Sequence, residues 1–209
     1  LLSIAAWTGE PNQAGAQYGF SVGTAGDVNG DGYSDVIVGA PMYTNGQSGE
    51  GAAFVYHGSA SGLATSPSFM TESNQSSAWL GYAVSTGLDM DGDGYSEVIV
   101  GAPQFDGPEV DEGAVFVYHG SASGLVSTAW ARFESNQAGA SYGASVSSAG
   151  DVNGDGYADA VAGAPKFDSG QTDEGRFFVL RGNAGGVLQD LLPFECDQAG
   201  AELGGAVAG

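Results

Sequence analysis

Positively charged side chains are almost missing from this sequence. Its 209 residues contain four Lys and Arg residues against 25 Asp and Glu residues, which gives a formal net charge of −21 at pH 7. A chain of this charge repels phosphate backbones and anionic lipid headgroups alike. We therefore expect no nucleic-acid binding and no docking on an anionic membrane surface. Lys166 is the only lysine, which favours a secreted or cell-surface protein over a cytosolic one.

Cysteine and long apolar stretches are also scarce. Cys196 is the only cysteine, so the chain cannot form an intrachain disulfide. No apolar run approaches the ~20 residues that a membrane-spanning helix needs, so we expect no membrane insertion. Apolar stripes with helical spacing are missing as well, and the 37 glycines disfavour long helices. The sequence therefore predicts an all-β protein built from short strands and tight turns.

The sequence is organised as an internal repeat of 62 residues. It is marked by a nine-residue acidic string, a Gly-Ala-Pro triplet, an aromatic and β-branched segment, and an Asn-Gln pair. The acidic strings read DVNGDGYSD, DMDGDGYSE and DVNGDGYAD and begin at Asp27, Asp89 and Asp151. Gly-Ala-Pro follows at 39–41, 101–103 and 163–165, and Asn-Gln stands at 12–13, 74–75 and 136–137. A long fixed period of this kind is the signature of a repeat architecture.

Each repeat contains four segments with the character of strands. In the first repeat these are residues 18–25, 35–40, 54–56 and 68–72. The segment DVIVGA at 35–40 is short, continuous and β-branched, which is typical of a strand buried on both faces. A four-stranded sheet buries both faces only when similar sheets stack against it, as the blades of a propeller do. The sequence therefore predicts a β-propeller of four-stranded antiparallel blades.

The repeat boundaries predict about three blades with partial blades at both ends. Residues 1–17 are interpreted as the last strand of a preceding blade, and 203–209 as the first strand of a following one. The three full blades are predicted at 18–79, 80–141 and 142–202. Known rings need about four to eight blades. We therefore expect this sequence to self-associate or to form part of a longer propeller.

The acidic strings carry the metal-binding chemistry. In the first string, Asp27, Asn29, Asp31 and Asp35 stand at positions 1, 3, 5 and 9, and the backbone carbonyl of Tyr33 stands at position 7. Hard cations such as Ca²⁺ take six to eight oxygen ligands, and without a cation three neighbouring carboxylates repel one another. An EF-hand needs a Glu at position 12 and flanking helices, but position 12 is Val38, Val100 or Ala162. The remaining interpretation is a calcium loop between two strands.

Together, the motifs resemble a known family. The segments YGFSV, LGYAV and YGASV, the string DxNGDGYxD and the Gly-Ala-Pro triplet are similar to the FG-GAP repeat of the integrin α-subunit β-propeller and of bacterial integrin-like surface proteins. The resemblance implies calcium in the loops, three ions in total, and a role in adhesion or ligand recognition. The implied ligands are Asp27, Asn29, Asp31, Tyr33 and Asp35; Asp89, Asp91, Asp93, Tyr95 and Glu97; and Asp151, Asn153, Asp155, Tyr157 and Asp159, with each Tyr ligating through its carbonyl. Glu97 departs from the pattern by one methylene.

No constellation of catalytic residues accompanies these loops. His57 and His119 are the only histidines and stand 62 residues apart, at equivalent places in two blades, so they are not expected to share a site. We therefore predict a non-enzymatic protein and give both histidines a structural or surface role. The segments after Gly-Ala-Pro vary most between repeats, and such loops commonly bind partners.

The partner itself is left open by the sequence. The leading hypothesis is a calcium-binding module for extracellular adhesion or protein recognition, with a protein ligand on one propeller face. One alternative is a carbohydrate-binding propeller, which would need aromatic platforms between blades to hold a glycan. Another is a non-catalytic domain of a secreted hydrolase. A fold does not by itself distinguish among these functions.

Overall fold

Three antiparallel sheets of four strands each make up the computed structural model, which describes residues 7–190 and 196–209. In each sheet the strands lie in chain order. The first sheet contains β1 (Ser21–Gly26), β2 (Asp35–Ala40), β3 (Ala52–Tyr56) and β4 (Phe69–Glu72). The second contains β5 (Ala83–Leu88), β6 (Glu97–Ala102), β7 (Ala114–Tyr118) and β8 (Ala131–Glu134). The third contains β9 (Ser145–Gly150), β10 (Asp159–Ala164), β11 (Arg176–Asn183) and β12 (Gly186–Gln189).

These sheets confirm the predicted all-β fold of propeller blades. The described residues contain no helix, and so none that could cross a bilayer. The strand β2 has the predicted bounds, and the third and fourth strands differ from prediction by one or two residues. The first strand begins at Ser21 rather than at residue 18, because a tight turn precedes it, in which Phe20 N–H donates to the Gln17 carbonyl at 3.0 Å.

The core lies between the blades. Ile37 and Val55 pack with Val98 and Val100 of the second blade, while Ile99 of the same strand turns to the third blade. Strand β6 is buried along its whole length. Alternate side chains of the middle strands thus enter different cores, which confirms the prediction that these strands are buried on both faces.

Glycines allow the blades to approach closely. A Cβ on Gly101 of β6 would lie 2.0 Å from the carbonyl oxygen of Gly143, which precedes the first strand of the third blade. The same holds between Gly39 and Gly81, and between Gly163 and Gly204. The glycine of Gly-Ala-Pro therefore makes room for the turn that begins the next repeat.

The repeated Asn-Gln pair joins neighbouring repeats. The Gln75 side chain donates to the Asp106 carbonyl at 2.8 Å and accepts from the Asp106 N–H at 2.6 Å. Gln13 bonds to Thr44 in the same way, and Gln137 to Asp168. Each glutamine thereby fixes the loop after the second strand of the following sheet.

The predicted partial strands lie at the two ends of the sequence. Residues 1–6 lie outside the described residues, and 7–17 contain no strand. At the other end, Leu203 makes an isolated bridge to Gly175, and no strand forms over 203–209. The assignment of 1–17 and 203–209 to neighbouring blades stays a prediction. The outer apolar face of the first sheet is covered in part by Trp7 and Tyr18.

Candidate metal centres

The antiparallel order of each sheet brings two connections to the same end of its strands, which we call an edge of the blade. The acidic loop joins the first strand to the second, and the connection between the third and fourth strands returns to that edge. In the second blade the residue directly after β7 is His119, and the loop between β5 and β6 spans 89–96. The path of the chain therefore sets His119 beside the second acidic loop.

A β-bulge precedes each acidic loop. The pairing of the first strand with the second shifts register at Thr24/Gly26, at Thr86/Leu88 and where β9 meets Asp159. The residue at the bulge has a positive φ: 77° at Gly26, 58° at Leu88 and 66° at Gly150. A bulge bends its strand and re-aims the residues that follow. Here it directs the acidic loop off the end of the sheet.

The first and third loops curl around their opening aspartate. Asp27 accepts hydrogen bonds from the N–H groups of Asp31 at 3.1 Å and Gly32 at 2.8 Å. Asn29 Oδ1 also accepts from Asp31 N–H, and Asp31 Oδ1 accepts from Tyr33 N–H. These bonds set the side chains at positions 1, 3 and 5 close together.

The third loop repeats this network. Asp151 accepts from the N–H groups of Gly154 at 2.7 Å, Asp155 at 3.1 Å and Gly156 at 2.9 Å. These donors, with Gly156 first, hold the pKa of the Asp151 carboxyl below its usual value. Asn153 Oδ1 accepts from Asp155 N–H, and Asp155 Oδ1 accepts from Tyr157 N–H. The Asp151 carboxylate is therefore held in its ionised form and directed into the loop.

The second loop gathers the most negative charge. One carboxylate oxygen from each of Asp89, Asp91 and Asp93 lies within 4.8 Å of the others. Burial raises the pKa of the Asp91 carboxyl, and the Asp93 N–H that it accepts offsets part of that rise. Three carboxylates at this separation favour a cation among them.

The ninth residue of each loop is fully buried and bonds to backbone on both sides. Asp35 accepts from Val28 N–H at 3.0 Å and Gly58 N–H at 2.7 Å. Asp159 likewise accepts from Val152 N–H at 2.8 Å and Gly182 N–H at 3.0 Å. This carboxylate thus ties the loop to the end of the third strand, a structural role that the sequence analysis did not foresee.

Glu97 takes the ninth position in the second loop. Its Oε2 accepts from Met90 N–H at 2.7 Å, and its Oε1 accepts from Gly120 N–H at 3.3 Å. Burial raises the pKa of Glu97 to about 8, with the negative charges of Asp91 and Asp93 adding to the rise. A bound divalent cation would offset both effects, because it stabilises the ionised form.

The tyrosines at position 7 join the loops of neighbouring blades. The Tyr95 ring lies over Gly30, where a Cβ would approach it to 2.6 Å, and Tyr157 lies over Gly92 in the same way. Tyr33 of the first blade is 44% exposed. Their backbone carbonyls remain predicted ligands.

His119 is the residue near the site that sequence analysis missed. Its Nδ1 lies 3.3 Å from Asp91 Oδ2 and 3.3 Å from Glu97 Oε1, and its Nε2 lies 3.4 Å from Asp93 Oδ2. The 62-residue spacing of the histidines indicates only that they lie in different blades. The antiparallel path from the third strand back to the acidic loop is the sequence signal that predicts the contact of His119 with that loop.

The donor chemistry of the loops fits Ca²⁺. Three, four and three acidic residues stand in the three loops, ten of the 25 in the chain. Carboxylate oxygens line each loop, joined by an asparagine amide oxygen in the first and third loops, and Ca²⁺ takes oxygen ligands in flexible geometries. A bound ion would supply the positive charge that these side chains lack among themselves.

Comparison with known proteins gives consistent similarities. The profile of the FG-GAP repeat matches residues 18–56, 80–118 and 135–180, which together exceed half of the chain. The chain is 36% identical to integrin alpha-4 of Xenopus laevis over 160 residues, covering 74% of this chain and 15% of the relative. It is 29% identical to integrin alpha-5 of Xenopus laevis over 185 residues, covering 84% of this chain and 17% of the relative. With integrin alpha-PS2 of Drosophila melanogaster it shares 40% identity over 110 residues, 48% of this chain and 8% of the relative. The chain thus spans less than a fifth of these relatives' lengths.

Proposed function

The chain belongs to the FG-GAP repeat family, and from this we infer that it is a calcium-binding, integrin-like propeller module for adhesion or protein recognition outside the cell. The observation that carries the proposal is the cluster of Asp89, Asp91 and Asp93 within 4.8 Å, in a loop that recurs in each blade. We propose three Ca²⁺ ions per chain, each held by positions 1, 3, 5 and 9 and the carbonyl at position 7. In this proposal the module is non-catalytic and secreted or displayed at a cell surface.

Calcium would act as a structural clamp at one edge of each blade. The ion neutralises carboxylates that otherwise repel, and it fixes a loop that contacts the next blade through Ser96 N–H and the Asp27 carbonyl, 2.9 Å apart. A ligand that binds only the folded state stabilises it by about 2.7 kcal/mol per site at a 100-fold excess over Kd. Melting temperature should therefore rise with calcium and fall with chelator. An unchanged melting temperature after confirmed metal removal would reject the clamp.

The recognition surface is proposed at the opposite edge, on the loops that follow the second strands. These loops are 41–51, 103–113 and 165–175, and each is held by a glutamine of the preceding repeat. Val110, at the tip of the second loop, is 66% exposed. A rigid base with an exposed, variable tip is the usual arrangement of a binding loop.

Binding can be tested with a panel of purified extracellular proteins immobilised for surface plasmon resonance. A partner that uses this edge should lose affinity for Val110→Asp, while Val126→Asp, on the calcium-bearing edge, leaves binding intact. Equal affinity of the Val110→Asp and Val126→Asp variants for the partner would show that recognition does not use the loops after the second strands. Equal melting temperatures of the variants establish that neither substitution affects folding.

A glycan is the second candidate ligand, and an aromatic cluster favours it. The Trp79 and Tyr82 rings stack with centroids 6.2 Å apart, and Phe20 lies 4.8 Å from Tyr82. Gln104 and Ser141 help to line the groove beside Trp79 and Tyr82. Aromatic faces with nearby polar groups suit sugar rings. A glycan array on which Tyr82→Ala loses signals that the wild type shows would establish this alternative.

We also propose that the three blades form part of a larger ring, through further chain or a second copy. Known propeller rings contain at least about four blades, so a ring of three blades would be unusually small. Val22 in β1 of the first sheet is 62% exposed, and Phe20 in the turn before β1 is 51% exposed. Light scattering on this sequence should show association. A stable, monodisperse 20.9 kDa species with a cooperative melt would contradict the proposal.

A further inference from the structure

The second loop differs from the other two at two proposed ligand positions, and both face one imidazole. Position 3 is Asp91, where the other loops have asparagine, and position 9 is Glu97, where they have aspartate. The residue after the third strand is His119; the first blade has His57 at the equivalent place and the third has Arg181. The second loop therefore brings an additional negative charge and a longer carboxylate to a histidine.

These three side chains converge. One donor atom from each of Asp91, Glu97 and His119 lies within 4.8 Å of the others. His119 Nδ1 is 3.3 Å from an oxygen of each carboxylate, yet this nitrogen is buried and makes no hydrogen bond of acceptable geometry. A buried nitrogen between two carboxylates, aligned with neither, needs another partner to be satisfied.

The equivalent residues of the other blades are placed differently. His57 Nδ1 faces the side-chain amide nitrogen of Asn29 at 3.4 Å, so no carboxylate stands at position 3. Arg181 turns to Asp190, with Nε and Nη2 2.8 Å and 2.6 Å from Oδ1. Among the described residues, only the second loop combines a histidine with carboxylates in this way.

We propose that Asp91, Glu97 and His119 form a mixed nitrogen and oxygen site for a divalent first-row transition metal, and that the bound metal is Zn²⁺. The inference rests on the proposed function, in which the acidic loops hold cations. Calcium takes oxygen ligands, whereas imidazole suits Zn²⁺ and its neighbours. Two donor atoms that each lie about 2.1 Å from a tetrahedral Zn²⁺ are about 3.4 Å apart. The distances from His119 Nδ1 to Asp91 Oδ2 and to Glu97 Oε1 are both 3.3 Å, close to this value.

The groups around the site hold its ligands in place. Glu97 Oε2 is fixed by Met90 N–H at 2.7 Å, which leaves Oε1, with its longer 3.3 Å bond, facing the histidine. The His119 ring packs against Trp130 with centroids 5.3 Å apart. Outer contacts of this kind orient metal ligands. The ring is 27% exposed, so the site is accessible to ions from solution.

The experiment titrates Zn²⁺ into the metal-free chain by isothermal titration calorimetry, because Asp91 and Glu97 are also proposed calcium ligands and saturating calcium would compete with Zn²⁺. The wild type and His57→Gln should each bind one Zn²⁺ with equal affinity. His119→Gln should bind it at least about tenfold more weakly, since even loss of an outer contact costs 10–100-fold in metal affinity. With Co²⁺ as a spectroscopic probe, nuclear magnetic resonance should show paramagnetically shifted imidazole protons that disappear only in His119→Gln.

Each outcome decides the matter. Equal Zn²⁺ affinity in wild type and His119→Gln, or an equal loss in His57→Gln, overturns the mixed site and leaves His119 as a counter-ion of the carboxylates. Calcium titration of the same three proteins separates this from the proposed function. Zn²⁺ binding through His119 in a chain that binds no calcium would support the mixed site and reject the calcium module. Calcium binding without a His119-dependent Zn²⁺ site would do the reverse.

Discussion

Replacing Asp35 by alanine should destabilise the fold even when no metal is present. Its carboxylate is fully buried and accepts N–H groups from two separate segments, at Val28 and Gly58. Each buried N–H left unpaired costs about 1–3 kcal/mol. Burial also raises the pKa of Asp35, which shows that ionising this carboxyl inside the fold already carries a cost and offsets part of the loss. We therefore expect the free energy of unfolding to fall by about 2–4 kcal/mol.

The assay is urea unfolding in excess chelator, followed by tryptophan fluorescence. Asp31→Ala is the matched control, because Asp31 is an exposed member of the same loop. In chelator it should stay within about 1 kcal/mol of the wild type, as surface substitutions generally do. In calcium it should lose the stabilisation of one bound ion. Equal stability of Asp35→Ala and Asp31→Ala in chelator would refute the structural role of position 9.

Three further predictions test the fold. Gly101→Ala should lower the free energy of unfolding by about 1–3 kcal/mol, because the new Cβ would meet a backbone carbonyl of the next blade. Gly23→Ala, where the nearest atom is 3.4 Å from the new Cβ, should be tolerated, and equal melting temperatures of the two variants would contradict this. Gln75→Ala should cost about 1–3 kcal/mol through its two lost bonds, and Gln198→Ala, at an exposed site, should cost almost nothing. Burial raises the pKa of Tyr142, so stability should fall above pH 10, by about 1.4 kcal/mol per pH unit, as the unfolded tyrosine ionises; Tyr142→Phe should reduce this slope in denaturation measured at pH 10–12.

Much of the fold could be predicted because the repeat states the same pattern three times. The run 35–40 alone is ambiguous between a buried strand and a buried helix segment. Its recurrence between an acidic string and Gly-Ala-Pro settles the choice, and the observed β2 has the predicted bounds. The repeat pattern says less about the ends, where 7–17 and 203–209 contain no strand and their assignment to neighbouring blades stays a prediction.

The candidate site was predicted less completely. The convergence of Asp89, Asp91 and Asp93 follows from their alternate spacing in a curled loop, while their role as metal ligands stays a prediction. The backbone partners of Asp35 and the approach of His119 depend on the return of the third strand to the same edge, which spacing within the loop does not encode. Glu50, Glu112 and Glu174 were also missed, although they recur every 62 residues and are fully buried.

Calcium stoichiometry tests the central claim most directly. Isothermal titration of metal-free chain should give three sites in the wild type, with Kd values of roughly 10⁻⁴–10⁻³ M or somewhat tighter. Asp155→Ala should give two, because it removes a carboxylate from the third loop and leaves the others intact. No calcium uptake by the wild type, or three sites in Asp155→Ala, would contradict the assignment of one ion to each loop.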